Sequence, residues 1–244
     1  MSKLERIDDL QCNGLRLVQD TNLYNFTIDA VLLVNLSKVK QNGVVVDLCS
    51  GSGIIPILVA GKSKAKKVYA IELQKELYCL AQKSIALNNL ESKIEIFNDD
   101  IKNYKNHLSK NSADVVYCNP PYSKPNNSII GENSSRNIAR QEITITLKEV
   151  VKVASELLKD KGCFYMVHQA KRLQEILFEF ANYNLAVKEV TICQSKQGAK
   201  PHLVIIKAVK GGKFDLIVNT PLVLNNEDGT LTNEVLALYS KTKI

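Results

Sequence analysis

Apolar positions along this chain follow two different periods that keep replacing one another. Short apolar runs at 44–48, 67–72, 94–97 and 114–118 read as buried strands. Between them the spacing turns helical. Residues 54–60 predict a short helix with Ser52 as its candidate N-cap and Pro56 in its first turn. Residues 75–88 carry Leu77, Leu80, Ala81, Ser84 and Leu87 on one face. Further on, Ile143, Leu147, Val150, Val151, Ala154, Leu157 and Leu158 trace another apolar helix face, and Leu173, Ile176, Leu177 and Phe180 a last one. Strand-like runs at 162–168, 185–193 and 202–209 bring the strands of this alternation to seven.

Strands alternating with helices require right-handed crossovers, hence an α/β fold whose mostly parallel sheet is covered on both faces. The link between the last two strands, 194–201, is too short for a crossover and predicts an antiparallel edge hairpin. The expected organisation is a single domain. Residues 1–40 supply an N-terminal hairpin (4–20) and a covering helix marked by Ile28, Val31, Leu32 and Leu36. Residues 41–210 form the core, and 211–244 a C-terminal decoration that no clear period places. The stretch 123–137, rich in Asn, Ser and Pro, reads as a loop.

Composition narrows the classes. At 244 residues, 45% hydrophobic and 23% charged, the chain has the length and balance of one large globular domain. It has no apolar run long enough for a membrane helix, and MSKLERIDDL lacks the apolar core of a signal peptide, so a cytoplasmic location is expected. The six cysteines (12, 49, 79, 118, 163 and 193) form no CxxC pair and have no histidine cluster nearby. That excludes a zinc site or disulfide framework and makes Cys49, Cys118 and Cys163 small buried hydrophobes. No metal is expected. The net charge of +7 suits a nucleic-acid partner, but 27 of the 32 basic residues are Lys and Asn is abundant, as an AT-rich genome would also produce. Where the charge falls therefore matters more than its sum.

Candidate chemistry sits at two strand ends. Asn119-Pro120-Pro121-Tyr122 follows the run 115–118, where a buried strand gives way to a loop. An amide oxygen and a proline-fixed carbonyl there can both accept hydrogen bonds from a planar amino group. An aromatic ring two residues later can stack on the ring carrying that amine. Asp47-Leu48-Cys49-Ser50-Gly51-Ser52-Gly53 joins the first strand to the first helix, and its glycines let the backbone pass close to a ligand. Glu72 ends the second strand, where an acid can accept both hydroxyls of a ribose. Pro56 stands where the third glycine of a dinucleotide GxGxxG would fall, and an acid, Asp47, directly precedes the loop. Both departures weigh against NAD and for S-adenosylmethionine, which has an amino-acid part and no pyrophosphate. Asp100 follows the third strand, within reach of an adenine amine of such a cofactor. Any one of these acids can instead cap a helix; three at successive strand ends favour a ligand site.

On these residues the chain resembles the class I S-adenosylmethionine-dependent methyltransferases, in the branch that methylates amino groups through an Asn/Asp/Ser-Pro-Pro-aromatic motif. More narrowly, it is similar to the bacterial valine-tRNA adenine-N6 methyltransferases, which modify adenine 37 beside the anticodon. The likeness runs through LERIDDL (4–10), FTIDAVLL (26–33), DLCSGSG, NPPY, ARQE (139–142) and AVKGG (208–212). Gln141 departs from the His expected there. The resemblance implies a Rossmann-like class I methyltransferase fold with a seven-stranded sheet and S-adenosyl-L-methionine as cofactor. It implies a donor held by Asp47, Cys49, Gly51, Gly53, Glu72, Asp100 and Ile101, with Asn119 at the junction with the target. Tyr24, Thr27 and Asp29 would close over the methionine part.

Catalysis would then fall to Asn119, Pro120 and Tyr122, acting on an adenine N6 in tRNA. Arg136, Arg140, Lys196, Lys200, Lys207 and Lys210 are the expected RNA contacts, on a monomer with no membrane partner. Other readings remain open at this point. Release-factor glutamine N5-methyltransferases also use NPPY but usually carry a separate N-terminal helical domain. A guanine or cytosine amine in RNA or DNA is a second target. A non-catalytic nucleic-acid-binding module of the same fold is a third, against the intact Asn119, Pro120, Gly51, Gly53 and Glu72. His107, His168 and His202 are isolated and are assigned no chemistry.

Overall fold

A computed structural model describes residues 5–23, 28–120 and 145–244. In chain order the elements are β1 (Glu5–Asp9), β2 (Arg16–Asp20), α1 (Ile28–Asn35), β3 (Val44–Leu48), α2 (Ile54–Lys62), β4 (Lys67–Glu72), α3 (Lys75–Leu87) and β5 (Ile94–Asn98). A 3-10 turn (Ile101–Asn106), β6 (Ala113–Cys118), α4 (Leu147–Leu157), β7 (Leu158–Gln169), α5 (Leu173–Asn182), β8 (Leu185–Gln194) and β9 (Leu203–Lys210) follow. The chain finishes with β10 (Ile217–Val218), β11 (Leu222–Val223) and α6 (Asn233–Tyr239).

The main sheet runs β10-β8-β9-β7-β6-β3-β4-β5, with β11 also paired to β8. Strands β3 to β7 are mutually parallel, and β9 runs antiparallel between β7 and β8. From β3 the chain winds outward through β4 and β5, then returns to the other side of β3 for β6. That reversal opens a crevice at the carboxyl ends of β3 and β6, where ligands bind in open α/β sheets.

Pleat alternation divides the core into two layers. Val45, Val115, Tyr117, Tyr165 and Val167 join the layer under α1 and α2, whereas Val46, Leu48, Val116, Cys118, Phe164 and Met166 join the layer under α4 and α5. Tyr117 and Tyr165 stack across β6 and β7 at 5.5 Å, and their hydroxyls anchor the segment after α1 through Ser37 and the Lys38 backbone N–H. The hairpin β1–β2 is a separate two-stranded sheet, fixed to α3 by the Ser84 hydroxyl, which accepts from the Val18 N–H at 2.9 Å.

The structure adds detail to two expectations and overturns a third. The hairpin of the last two long strands is antiparallel, but its second strand is the inner one, because Leu203–Ile206 of β9 are buried on both faces. A short link fixes antiparallel pairing without fixing which strand meets the sheet. The tail after 211 also joins the sheet, as β10 and β11 on the outer edge of β8. Ser52 does not cap α2. Gly53 occupies the N-cap with φ 87° and no side-chain hydrogen bond, so the first N–H groups of that helix stay open. Among the described residues no helix is long and apolar enough to cross a membrane, and no cluster of His, Cys, Asp or Glu could hold a metal ion.

Candidate active site

The loop after β3 turns sharply because Cys49, Gly51 and Gly53 all take positive φ, at 60°, 59° and 87°. A side chain at Cys49 in this region costs about 1–2 kcal/mol, offset here by hydrogen bonds that hold the loop against β4. The Ser50 N–H donates to the Ile71 carbonyl (3.1 Å), and the Gly51 N–H donates to Glu72 Oε2 (2.7 Å). Glu72 Oε1 accepts from the Gln74 N–H at 2.8 Å, so this buried carboxylate ties the glycine loop to the end of β4. Burial raises the Glu72 pKa, and those backbone donors pull it partly back.

The two glycines do different work. A Cβ on Gly51 would meet nothing within 4 Å, so this backbone faces open space, as a ligand cradle requires. A Cβ on Gly53 would lie 3.0 Å from Ala81 Cβ, so Gly53 serves the close approach of α2 to α3.

Asp47 is fully buried at the end of β3, and neither of its oxygens has a hydrogen-bond partner; Ser50 Oγ beside it is equally unpartnered. Burial pushes the Asp47 carboxyl well above the usual range, and the Glu72 carboxylate adds to this, while the nearby Ser50 hydroxyl counteracts it. Buried polar atoms normally find partners. Two unpartnered carboxylate oxygens beside an uncapped helix N-terminus can receive a ligand that carries both a cation and an anion.

Asn119 and Pro120 follow β6 directly, and β6 pairs with β3 through Asp47↔Tyr117 and Leu48↔Cys118. Asn119 therefore stands one strand spacing, about 4.8 Å, from Cys49 at the start of the glycine loop. Pro121 and Tyr122 lie outside the described residues, as do Tyr24, Thr27, Arg136, Arg140 and Gln141.

The remaining expected site residues divide. Asp100 caps the 3-10 turn: its Oδ1 accepts from the Lys102 N–H (2.9 Å) and its Oδ2 pairs with Lys102 Nζ (3.1 Å). Ile101 buries its side chain in the layer under α4. Asp29 is buried in the first turn of α1; burial raises the Cys193 and Tyr239 pKa values and the nearby Asp29 adds to both, which puts Asp29 on the β8 side of the rim.

Lys196 and Lys200 lie in the β8–β9 loop on the same carboxyl rim as Asn119. Lys207 and Lys210 do not belong there. Lys207 pairs with Glu189 at 2.6 Å in mid-strand. Lys210, at the opposite rim, donates to the Ser155 and Leu158 carbonyls and to Asn111 Oδ1 at 2.6–2.8 Å, satisfying the carbonyl end of α4. The exposed Lys171, absent from the sequence expectation, joins the carboxyl rim instead, because the Ala170 N–H donates to the His202 carbonyl (2.9 Å) and docks its turn on the β8–β9 loop.

His168 Nδ1 accepts from the Gln169 N–H at 2.7 Å. Burial, helped by the Arg172 cation, lowers its pKa to about 3, so this ring stays neutral and takes no part in acid–base chemistry near neutral pH. His107 pairs with Asp99 (2.8 Å) and stacks on Phe97, an edge-packing role. Gln169 was not singled out by any pattern. Its Oε1 is buried without a partner at the end of β7, the strand beside Asn119.

Comparison with known proteins shows what the chain is similar to. Residues 32–128 match the model of the TRM5/TYW2 methyltransferase domain. A tRNA1(Val) (adenine(37)-N6)-methyltransferase from Shewanella woodyi is 24% identical over 219 residues, covering 87% of this chain and 89% of the relative. Among solved structures, a predicted O-methyltransferase from Agrobacterium tumefaciens superposes with a TM-score of 0.71 at 20% identity, over 88% of this chain and 98% of its own. Methanocaldococcus jannaschii Trm5 in complex with adenosine gives a TM-score of 0.63 at 21% identity, over 87% of this chain and 57% of that protein.

Proposed function

From the premise that the chain is a class I S-adenosylmethionine-dependent methyltransferase related to the tRNA1(Val) (adenine(37)-N6)-methyltransferases, we propose that it methylates the exocyclic N6 of an adenine in tRNA. The target in this reading is adenine 37 of a cytoplasmic valine tRNA. The observation that carries it is the position of Asn119 and Pro120, one strand over from the glycine loop.

The residues present fit the donor. Asp47 and Ser50 offer unpartnered buried oxygens to its ammonium, the open N-terminus of α2 suits its carboxylate, and Glu72 suits its ribose hydroxyls. When bound, S-adenosylmethionine supplies an electrophilic methyl on sulfur. Adenine N6 is a poor nucleophile because its lone pair is delocalised into the ring. Asn119 Oδ1 and the Pro120 carbonyl, accepting its two hydrogens, favour a pyramidal nitrogen whose lone pair is released. The gain comes from placement and fixed dipoles. No strong base is needed, since the amine proton turns acidic once the nitrogen carries the methyl. Tyr122 stacks on the extruded base in this reading, a contact of about 1–3 kcal/mol. Arg136, Arg140, Lys171, Lys196 and Lys200 take phosphates around the rim.

The two glycines give a separable prediction. Gly51→Ala should fold, at a cost of about 1–2 kcal/mol for a side chain at positive φ, yet raise the donor Kd sharply because its methyl enters the cradle. Gly53→Ala should lose more thermal stability, since its methyl meets Ala81 as well. Calorimetric Kd and Tm values on both variants check this; equal Tm losses would show that the two positions are not distinct.

The activity itself is tested by incubating the protein with methyl-labelled donor and tRNA, then digesting and identifying the labelled nucleoside. N6-methyladenosine is expected. Label in protein or in guanosine refutes the reading.

A further inference from the structure

We propose that Gln169 reads the sugar of the target nucleotide, its buried Oε1 accepting a hydrogen bond from the 2′-hydroxyl. The inference rests on the adenine-N6 reading above and adds a requirement for ribose at the methylated position.

Register fixes where Gln169 points. It pairs with Leu203 in β9, and His168 pairs with Val204. Leu203 belongs to the layer under α1 and α2, and Val204 to the layer under α4 and α5, so the Gln169 and His168 side chains take opposite faces. Gln169 thus shares a face with Tyr165 and Val167. Across β6 the same face carries Tyr117, which lies in register with Tyr165. Asn119 follows Tyr117 by two residues and Gln169 follows Val167 by two, so both amides stand at the carboxyl end of neighbouring strands. Gln169 is displaced outward by about 6.6 Å, two residues of strand rise.

Chemistry then selects the ligand. Gln169 Oε1 is a buried acceptor without a partner, a condition that costs about 1–3 kcal/mol unless a donor arrives. An internal adenosine carries its N–H and O–H donors in two places only, the N6 amine and the 2′-hydroxyl, because both other ribose oxygens are esterified. Asn119 and Pro120 take the two amine hydrogens, which leaves the 2′-hydroxyl. The donor's ammonium is not the partner, since Asp47 on β3 lies two strands away, about 10 Å. A 2′-hydroxyl contact is also the feature by which a protein tells RNA from DNA at one nucleotide.

The test uses the full-length protein and valine tRNA carrying either adenosine or 2′-deoxyadenosine at position 37. Wild type is expected to lose about tenfold in kcat/KM on the deoxy tRNA, the size of one hydrogen bond to a buried neutral group. Gln169→Leu should lose about as much on the ribose tRNA and no longer distinguish the two. Its Tm should equal or exceed wild type, because an orphaned polar atom is gone. Gln169→Glu, which keeps an acceptor oxygen, should retain the discrimination. A Gln169→Leu variant that still discriminates like wild type, or one whose only change is a weaker donor Kd, overturns the proposal. A wild type equally active on both tRNAs also overturns it while leaving the adenine-N6 reading intact. A wild type inactive on the ribose tRNA defeats that reading and this one together.

Discussion

Asn119→Ala is expected to slow methyl transfer by roughly 100- to 1000-fold, the usual effect of removing one preorganised group that stabilises developing charge. Binding of S-adenosylmethionine should stay close to wild type, because most groups proposed to hold it (Asp47, Ser50, Gly51 and Glu72) lie on or beside β3 and β4 rather than on β6. Single-turnover rates with tRNA, beside calorimetric donor affinity, separate the two quantities. Asn119→Asp preserves shape and one acceptor oxygen but adds a charge, and should recover only part of the rate. Unchanged turnover in the alanine variant would show that the amine is held elsewhere and would end the proposed mechanism.

Asp47→Asn should do something less usual: raise Tm while weakening donor binding. The Asp47 carboxyl is buried with both oxygens unpartnered, and burial raises its pKa well above the ordinary value. A carboxyl whose folded-state pKa is raised favours folding only while it is protonated. That contribution is complete below the unfolded value of about 3.9 and is lost as pH rises through the folded value. As pH rises above the unfolded value the buried carboxyl therefore opposes folding, and a neutral amide removes most of the penalty. Each kcal/mol recovered should appear as about 2–4 °C in Tm for a chain of this size. The advantage over wild type should shrink as the pH is lowered toward the ordinary carboxylate range. Donor affinity should fall about 10- to 100-fold, the range for a hydrogen bond to a charged group. Thermal melts across pH and a binding isotherm check both halves. A variant that is less stable and binds normally would mean that Asp47 serves the fold alone.

Such a residue, buried at a cost to the fold and proposed to serve the site, is visible in the sequence only as an acid at a strand end. The placing of the glycine loop, Glu72 and Asn119-Pro120 at strand ends was legible in the same way, because strand ends and glycine turns are local features. Ser52 shows the limit of that reading. It has the right side chain and spacing for a cap, but Gly53 takes the position with φ 87° and leaves the helix start open. Asp100, an acid after a third strand, has a local role the sequence did not single out: it caps the 3-10 turn and pairs with Lys102. The basic stretch misled through direction. Lys200 and Lys210 stand ten residues apart, but β9 carries them to opposite rims, and only one rim holds the crevice.

The sequence by itself determined the alternation of strands and helices and the glycine loop and Asn119-Pro120 at strand ends, because periodicity and turn chemistry are written in neighbouring residues. Strand order, face and rim are set by pairing between distant segments. Only the tertiary structure therefore decided that β9 lies inside β8, that Asp47 is stranded without a partner, and that Gln169 points the same way as Asn119.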